Sequence, residues 1–280
     1  MCIHMKKETL EKEYLNNKLT YQEIGDKYDI CVNTVWYYMK KYEISPLKPY
    51  ERLDIPEWTD NQRDFMIGTM LGDGCLRVMR AGNDAYLDVK HSLKQKEYVE
   101  WKYSLLKGYV NSNIKIFTDS YKGKQYEKCR FTTICHPIFT DYYKMFYDSG
   151  IKVVTNEVAD ALTPMSLAVW FMDDGCGNIN NFELCTESFT EPELKRLQLV
   201  LSKKFKLVTS LWFERYRKGS NQKMFKLAIL KRSADTFTDI IKPCIIPSMM
   251  YKLRFRLLGT PEAIREAPQI VGEDMVHTLE

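Results

Sequence analysis

Two nine-residue stretches decide the fold: Met66–Gly74, MIGTMLGDG, and Leu167–Gly175, LAVWFMDDG. Each is an apolar run that breaks at Asp-Gly. The capping-box pattern Thr59-Asp60-Asn61-Gln62 predicts a helix through Phe65, Met66 and Leu71 that stops at Asp73-Gly74. Thr163 as N-cap and Pro164 in the first helical position predict a second helix through Leu167, Ala168, Trp170 and Phe171, ending at Asp174-Gly175. A carboxylate at that end of a helix faces the negative pole of the macrodipole and is disfavoured by about 0.3–1 kcal/mol. A hard divalent cation resolves the conflict, because it takes carboxylate and carbonyl oxygens together. Gly74 and Gly175 are expected to supply the left-handed residue that ends each helix.

The same order of elements succeeds each run. After Gly74 come strand-like segments at 75–78 and 86–90, a helix near 96–109, strands at 114–117 and 128–133, and a helix near 137–148. After Gly175 come a strand at 183–186, a helix opened by Thr190-Glu191-Pro192-Glu193, strands at 208–214 and 224–230, and a helix near 234–241. The fold class is therefore α+β, with two αββαββα units in tandem related by a pseudo-twofold. The reading divides the chain into a small all-α module at 1–45, a proline-bearing linker at 46–57, a large domain at 58–259 with halves of about 58–150 and 151–259, and an acidic tail at 260–280.

Composition narrows the class. The 280 residues carry 41 Lys plus Arg against 37 Asp plus Glu, a net +4, and 45% are hydrophobic, which excludes a disordered or low-complexity chain. Eight cysteines without C-x-x-C spacing and four histidines make no zinc-like cluster, and read as free thiols of a reducing compartment. No apolar run approaches the roughly 20 residues that span a bilayer. With no signal-peptide h-region at the start, a soluble intracellular protein with no membrane partner is expected. The charge is unevenly placed. Between Lys195 and Arg232 there are twelve basic residues and one acid, and between Lys90 and Arg130 ten and four. Both stretches include predicted strands, where basic and aromatic residues such as Trp212, Phe213, Tyr216 and Phe225 interleave.

The runs MIGTMLGDG and LAVWFMDDG resemble the two copies of the motif of the LAGLIDADG homing endonucleases, the first degenerate and the second close. LTPMSLAVWFMDDG (162–175) and IKPCIIPSMMYKL (241–253) are also similar to the same stretches of that family. The resemblance covers about 58–258. It implies two motif helices crossing at the centre of a DNA-spanning saddle, with Gly68, Gly72 and Ala168 allowing close approach. Val169 stands where the pattern has glycine, a departure expected to loosen the helix contact.

By motif position, Asp73 and Asp174 are implied as the metal-binding catalytic pair, with the carbonyls of Gly72 and Asp173 as further ligands. Mg2+, for which Mn2+ substitutes, is the implied cofactor. The implied reaction hydrolyses one phosphodiester on each strand of a long asymmetric site and leaves short 3′ overhangs. The resemblance places Lys152 and Lys252 beside the scissile phosphates, and Lys90 and Asn221 in the water network. Both halves lie on one chain, so a monomer is expected.

Double-stranded DNA is the expected partner, held by Lys122, Lys124, Lys128 and Arg130 in the first half and by Lys195, Arg215, Arg217, Lys218, Lys223 and Lys226 in the second. Phosphate contacts would give affinity and base-edge contacts sequence. The near-neutral start of the chain, LTYQEIGDKYDICVNTVWYYMKKYEI (19–44), resembles a helix-turn-helix. Ile24, Ile30, Val35 and Met39 would form its core, and Val32, Asn33, Trp36, Tyr37 and Lys40 would face the groove. Asp29 replaces the usual turn glycine there and Cys31 the usual cap serine. Two alternatives keep the same fold: an RNA maturase acting on intron RNA, and a non-catalytic transcription regulator.

Overall fold

A computed structural model describes residues 5–79, 84–177 and 181–253. The tail expected at 260–280 lies outside the described residues. The chain divides into two compact units, Met1–Pro56 and Glu57–Glu280.

In the first unit, α1 (Lys7–Glu11) continues into a π-helical turn (Lys12–Asn16) and is followed by α2 (Tyr21–Tyr28) and α3 (Val32–Lys41). Leu10, Tyr14, Ile24, Val35 and Met39 form its core, with Ile30 packed at the edge. The capping box of α2 forms, with the Thr20 N–H donating to Glu23 Oε2 at 2.7 Å. Asp29 stands at φ 52°, ψ 47°, the left-handed position that explains why glycine is usual in this turn. Residues 46–56 fall within the first unit. The Leu47 N–H donates to Tyr14 Oη at 3.0 Å, and Arg52 Nη1 donates to the Lys18 carbonyl at 2.9 Å.

A buried carboxylate ties this unit together. Glu13 accepts hydrogen bonds from Lys27 Nζ at 2.8 Å, Asn17 Nδ2 at 2.9 Å and Tyr28 Oη at 2.9 Å. Donation by Lys27, Asn17 and Tyr28 lowers its pKa from 4.5 to about 2. The stability this carboxylate contributes is therefore present above pH 4.5 and is lost as pH falls towards 2. Acid titration followed by Trp36 fluorescence should show the unit weakening across that window, and Glu13→Gln should remove most of the dependence.

The second unit begins with α4 (Asp60–Leu71), β1 (Cys75–Val78), β2 (Ala85–Ser92), α5 (Lys96–Leu105), β3 (Lys115–Tyr121), β4 (Lys124–Thr132) and α6 (Pro137–Phe146). A short hairpin, β5 (Tyr147–Asp148) and β6 (Ile151–Lys152), and α7 (Asn156–Asp160) lead to the second half. There α8 (Pro164–Asp174), β7 (Gly175–Gly177), β8 (Phe182–Leu184), α9 (Glu191–Phe205), β9 (Thr209–Tyr216), β10 (Lys223–Ile229) and α10 (Ala234–Ile241) repeat the order, and 3-10 turns follow at Pro247–Leu253. The two antiparallel sheets have the same topology, β1-β2-β4-β3 and β7-β8-β10-β9. One face of each packs on helices, through Leu76, Leu87, Val89, Cys129 and Phe131 in the first and Phe182, Leu184, Leu227 and Ile229 in the second.

The motif helices α4 and α8 pack directly together. Val169 does not loosen this contact, because it fills the space left by Gly68 on the other helix. A Cβ on Gly68 would lie 2.6 Å from the Val169 Cβ and 2.3 Å from the Ser166 carbonyl oxygen. Gly68→Ala should therefore cost at least about 1–3 kcal/mol by overpacking, read as a lowered urea midpoint. Gly74 and Gly175 are not left-handed. Among described glycines only Gly123, Gly150 and Gly219 have positive φ, and Gly175 is extended at φ −85°, ψ 145°. Their requirement is steric: a Cβ would meet the Thr69 carbonyl oxygen at 2.6 Å from Gly74 and the Phe171 ring at 2.0 Å from Gly175.

Candidate active site

Helix α4 stops at Leu71 and Gly72 caps it, so Asp73 leaves the helix, whereas α8 runs on through Asp174. Burial pushes the Asp174 carboxyl up to about 8, and the negative charges of Asp73 and Asp173 add to this against Lys252 and Lys152. Asp73 keeps 46% of its side chain accessible. Desolvation there and the Asp173 charge raise it as well, against Lys102, Lys252 and Lys152. Two neighbouring acids that both resist ionisation mark a position short of positive charge. Hard oxygen donors in that state suit a divalent cation.

A lysine closes each helix end. Lys152, on β6, donates from Nζ to the carbonyls of Gly72 at 3.1 Å and Gly74 at 2.9 Å. Lys252 donates to the carbonyls of Asp173 at 3.1 Å and Phe171 at 3.3 Å. A cation there meets the negative helix pole favourably. Burial pulls both ammonium groups below the ordinary lysine range, while the three aspartates oppose it. The Gly72 and Asp173 carbonyls, expected to ligate metal, thus each carry an ammonium group and keep one further lone pair.

The Asp173 side chain reaches into the first half. It accepts from Lys102 Nζ at 2.6 Å, Tyr98 Oη at 2.7 Å and Thr69 Oγ1 at 2.9 Å. Lys102 and Asp173 side chains are 1% and 0% accessible, so this is a fully buried ion pair. Burial alone would raise the Asp173 carboxyl, but the Lys102 charge and the hydrogen bonds from Lys102 and Tyr98 hold it below the usual range. Only one half has room for such a side chain. A Cβ at Gly72, the equivalent position on α4, would lie 2.5 Å from the Asp173 Cβ. This explains why one motif reads Gly-Asp-Gly and the other Asp-Asp-Gly.

His91 completes the network. Its Nε2 accepts from Lys102 Nζ at 3.0 Å, so the proton is on Nδ1, which donates to Gln95 Oε1 at 3.1 Å. That nitrogen is 3.7 Å from Asp73 Oδ2. Burial and the Lys102 charge lower the His91 pKa to about 3 against the pull of Asp173, leaving the ring neutral. Asp73, His91 and Asp173 offer ligand atoms within 4.8 Å of one another, a grouping that could hold a metal. In this structure Lys102 supplies positive charge to it.

Strand alternation sets which residues of β2 face the helices and which face outward. His91 is buried on the helix side, so Lys90 points to the opposite, open face with Arg130 as its cross-strand partner. Asn221 is placed away from the helix ends. It lies in the turn before β10, six residues from Leu227, which puts it about 20 Å up the strand. Thr69, Tyr98, Lys102 and His91 were missed in the sequence; the available signal was a Lys and a Tyr one helical turn apart on an otherwise apolar face of 96–105.

The expected DNA contacts separate by location. Lys124, Lys128 and Arg130 alternate along β4 on the open face, while Lys122 is in the hairpin turn. Arg215 and Lys226 lie on β9 and β10, with Lys223 at the start of β10 and Arg217 and Lys218 in the turn between them. Lys195 is on α9, paired with Glu191 at 2.7 Å, in the helix layer rather than with the strand residues. In the first unit Trp36 and Tyr37 are 53% and 55% exposed, and Lys40 Nζ lies 5.0 Å from the centre of the Trp36 ring. Asn33 is exposed beside them.

Two tandem sheets and a pair of packed helices, with Asp73 just past the end of one helix and Asp174 at the end of the other, define a duplicated, carboxylate-bearing α+β domain. The chain matches the LAGLIDADG DNA endonuclease family over residues 63–237 and belongs to it. It is 30% identical over 194 residues to the cytochrome b mRNA maturase bI2 of Debaryomyces hansenii, covering 68% of this chain and 72% of that one. It is 28% identical over 209 residues to the DNA endonuclease I-ChuI of Chlamydomonas applanata, covering 70% of this chain and 95% of that one. The homing endonuclease I-WcaI bound to its DNA recognition sequence superposes with a TM-score of 0.66 at 25% identity, over 76% of this chain and 97% of that one. No helix among the described residues is long and apolar enough to cross a membrane.

Proposed function

We propose that this protein is a site-specific homing endonuclease that makes a metal-dependent double-strand break in a long asymmetric DNA site and leaves short 3′ overhangs. The observation that carries the reading is the pair Asp73 and Asp174, brought together at the ends of two packed helices with raised pKa values and a lysine beside each. Mg2+, with Mn2+ able to replace it, fits the donors of Asp73 and Asp174; when bound, such a cation activates water and stabilises charge on the phosphate. Lys152 and Lys252 hold ammonium groups where that charge develops, one for each strand. The Lys102–Asp173 pair ties α8 to α5, Thr69 ties it to α4, and neutral His91 adds no charge beside Asp73. The reaction needs no covalent protein nucleophile. Because the two halves differ in sequence and share one chain, the protein acts as a monomer on a site without twofold symmetry.

The strands supply the main DNA contacts, through Lys124, Lys128 and Arg130 on one side and Arg215, Lys223 and Lys226 on the other. In the first unit Asn33, Trp36, Tyr37 and Lys40 extend the contacted sequence as the open face of a helix-turn-helix. RNA splicing is a second activity to test, because a maturase is among the similar proteins. Selection for cleavage from a randomised duplex library in Mg2+ should recover one long sequence family. Recovery of bound but uncut DNA in both Mg2+ and Mn2+ would sink the enzyme reading, and selective binding of intron RNA over duplex would favour the maturase. Deleting residues 1–56 should shorten the footprint; an unchanged footprint would remove the second DNA-binding module.

A further inference from the structure

The open face of each sheet carries a carboxylate where DNA binding alone would exclude one, since an anion there repels phosphates. Asp88 on β2 is opposite Cys75, and Glu183 on β8 is opposite Cys176. Cys75 and Cys176 are the same position of the repeat, one residue past the motif glycine. Each acid faces a cation two residues before its partner on the next strand. Asp88 pairs with Thr132 and binds Arg130; Glu183 pairs with Ala228 and lies near Lys226. The arrangement is therefore repeated by the pseudo-twofold, yet the chemistry differs between the halves.

In the first half the contact is a fork. Arg130 Nε donates to Asp88 Oδ1 at 2.6 Å and its Nη2 to Oδ2 at 2.9 Å. Arg77 Nε donates to Oδ2 at 3.1 Å. Asp88 is 9% accessible beneath them, while the Arg130 and Arg77 side chains remain 42% and 57% accessible. Asp88 occupies the Nε edge of Arg130, so the end edge, with two parallel N–H groups, is left facing outward. That edge matches the paired acceptors O6 and N7 of guanine in the major groove. In the second half the cation is a lysine, 20% accessible, held 3.3 Å from Glu214 and 3.9 Å from Glu183. It offers a point charge and no fork.

We propose that Asp88 is a positioning residue that turns Arg130, with Arg77 beside it, into a guanine-reading element on the first-half side of the cleavage centre, with no equivalent at the mirror position. This rests on the DNA-cleaving function proposed above. The wild-type protein, Asp88→Asn and Arg130→Lys are to be compared for binding and cleavage of every single-base-pair variant of the selected site. Thermal melting checks that each variant folds. The wild type should prefer G·C by about tenfold or more at one or two adjacent pairs on one side only. Asp88→Asn should reduce that preference to under about threefold at those pairs alone, and should tighten binding to unrelated duplex by removing a negative charge. Arg130→Lys should lose the same preference because it keeps the charge but lacks the fork. An unchanged profile in folded Asp88→Asn, an equal loss at every position, or an equal guanine preference at the mirror pair would overturn the proposal. Wild-type protein that binds no duplex at all would instead overturn the proposed function itself.

Discussion

Asp73→Asn and Asp174→Asn should each lower the cleavage rate by at least about a thousandfold while the protein still binds its site, because each removes an oxygen donor on which the reaction depends. The same substitutions should raise the melting temperature in the absence of divalent cation. Burial and mutual repulsion raise the Asp73 and Asp174 carboxyls above their unfolded values, which costs folding free energy, and an amide removes that cost without changing shape. Adding Mg2+ should stabilise the wild type by mass action and have a smaller effect on either variant. Lost activity together with raised stability is a signature that damaged folding does not produce. Calorimetry with and without EDTA, beside a plasmid-cutting assay, reads both.

The second large effect lies beneath the site. Lys102→Met leaves Asp173 buried without its cation and should cost about 3–5 kcal/mol, enough to lower the denaturant midpoint of the second unit severely. Asp173→Asn keeps acceptors for Tyr98 and Thr69 but leaves Lys102 charged and unpaired, so it should cost a comparable amount. The double variant Lys102→Met, Asp173→Asn should be less destabilised than the sum of the two singles. The coupling from that cycle measures how strongly one half of the molecule holds the catalytic helix of the other. Additive losses would mean that the ion pair does not join the halves.

The contrast between these two predictions shows how far the sequence could be read. Both motif helices, the capping boxes at Thr59 and Thr190, the N-cap at Thr163 and the tandem repeat are local patterns, and the structure reproduces them. The two aspartates are visible in the sequence because each stands at a helix end against the dipole. The Lys102–Asp173 pair is not, since its partners are 71 residues apart and belong to different halves. That His91 faces the helices and Lys90 the open face is a one-residue matter of strand facing, which only register can settle. Asp88 reads like any strand acid until its pairing with Thr132 sets it under Arg130. The glycines after the motif are required as expected, but crowding by Thr69 and Phe171 is the reason, not a left-handed turn.

The central claim is that Asp73 and Asp174 form one metal-dependent centre that cuts both strands. Single-turnover cutting of the selected duplex, end-labelled on each strand and resolved on a denaturing gel, tests it most directly. Wild type in Mg2+ should cut each strand once, at phosphates offset to give short 3′ overhangs, and EDTA should stop both cuts. Tight binding with neither strand cut in Mg2+ or Mn2+, or cutting that survives EDTA or the Asp174→Asn substitution, would contradict the claim.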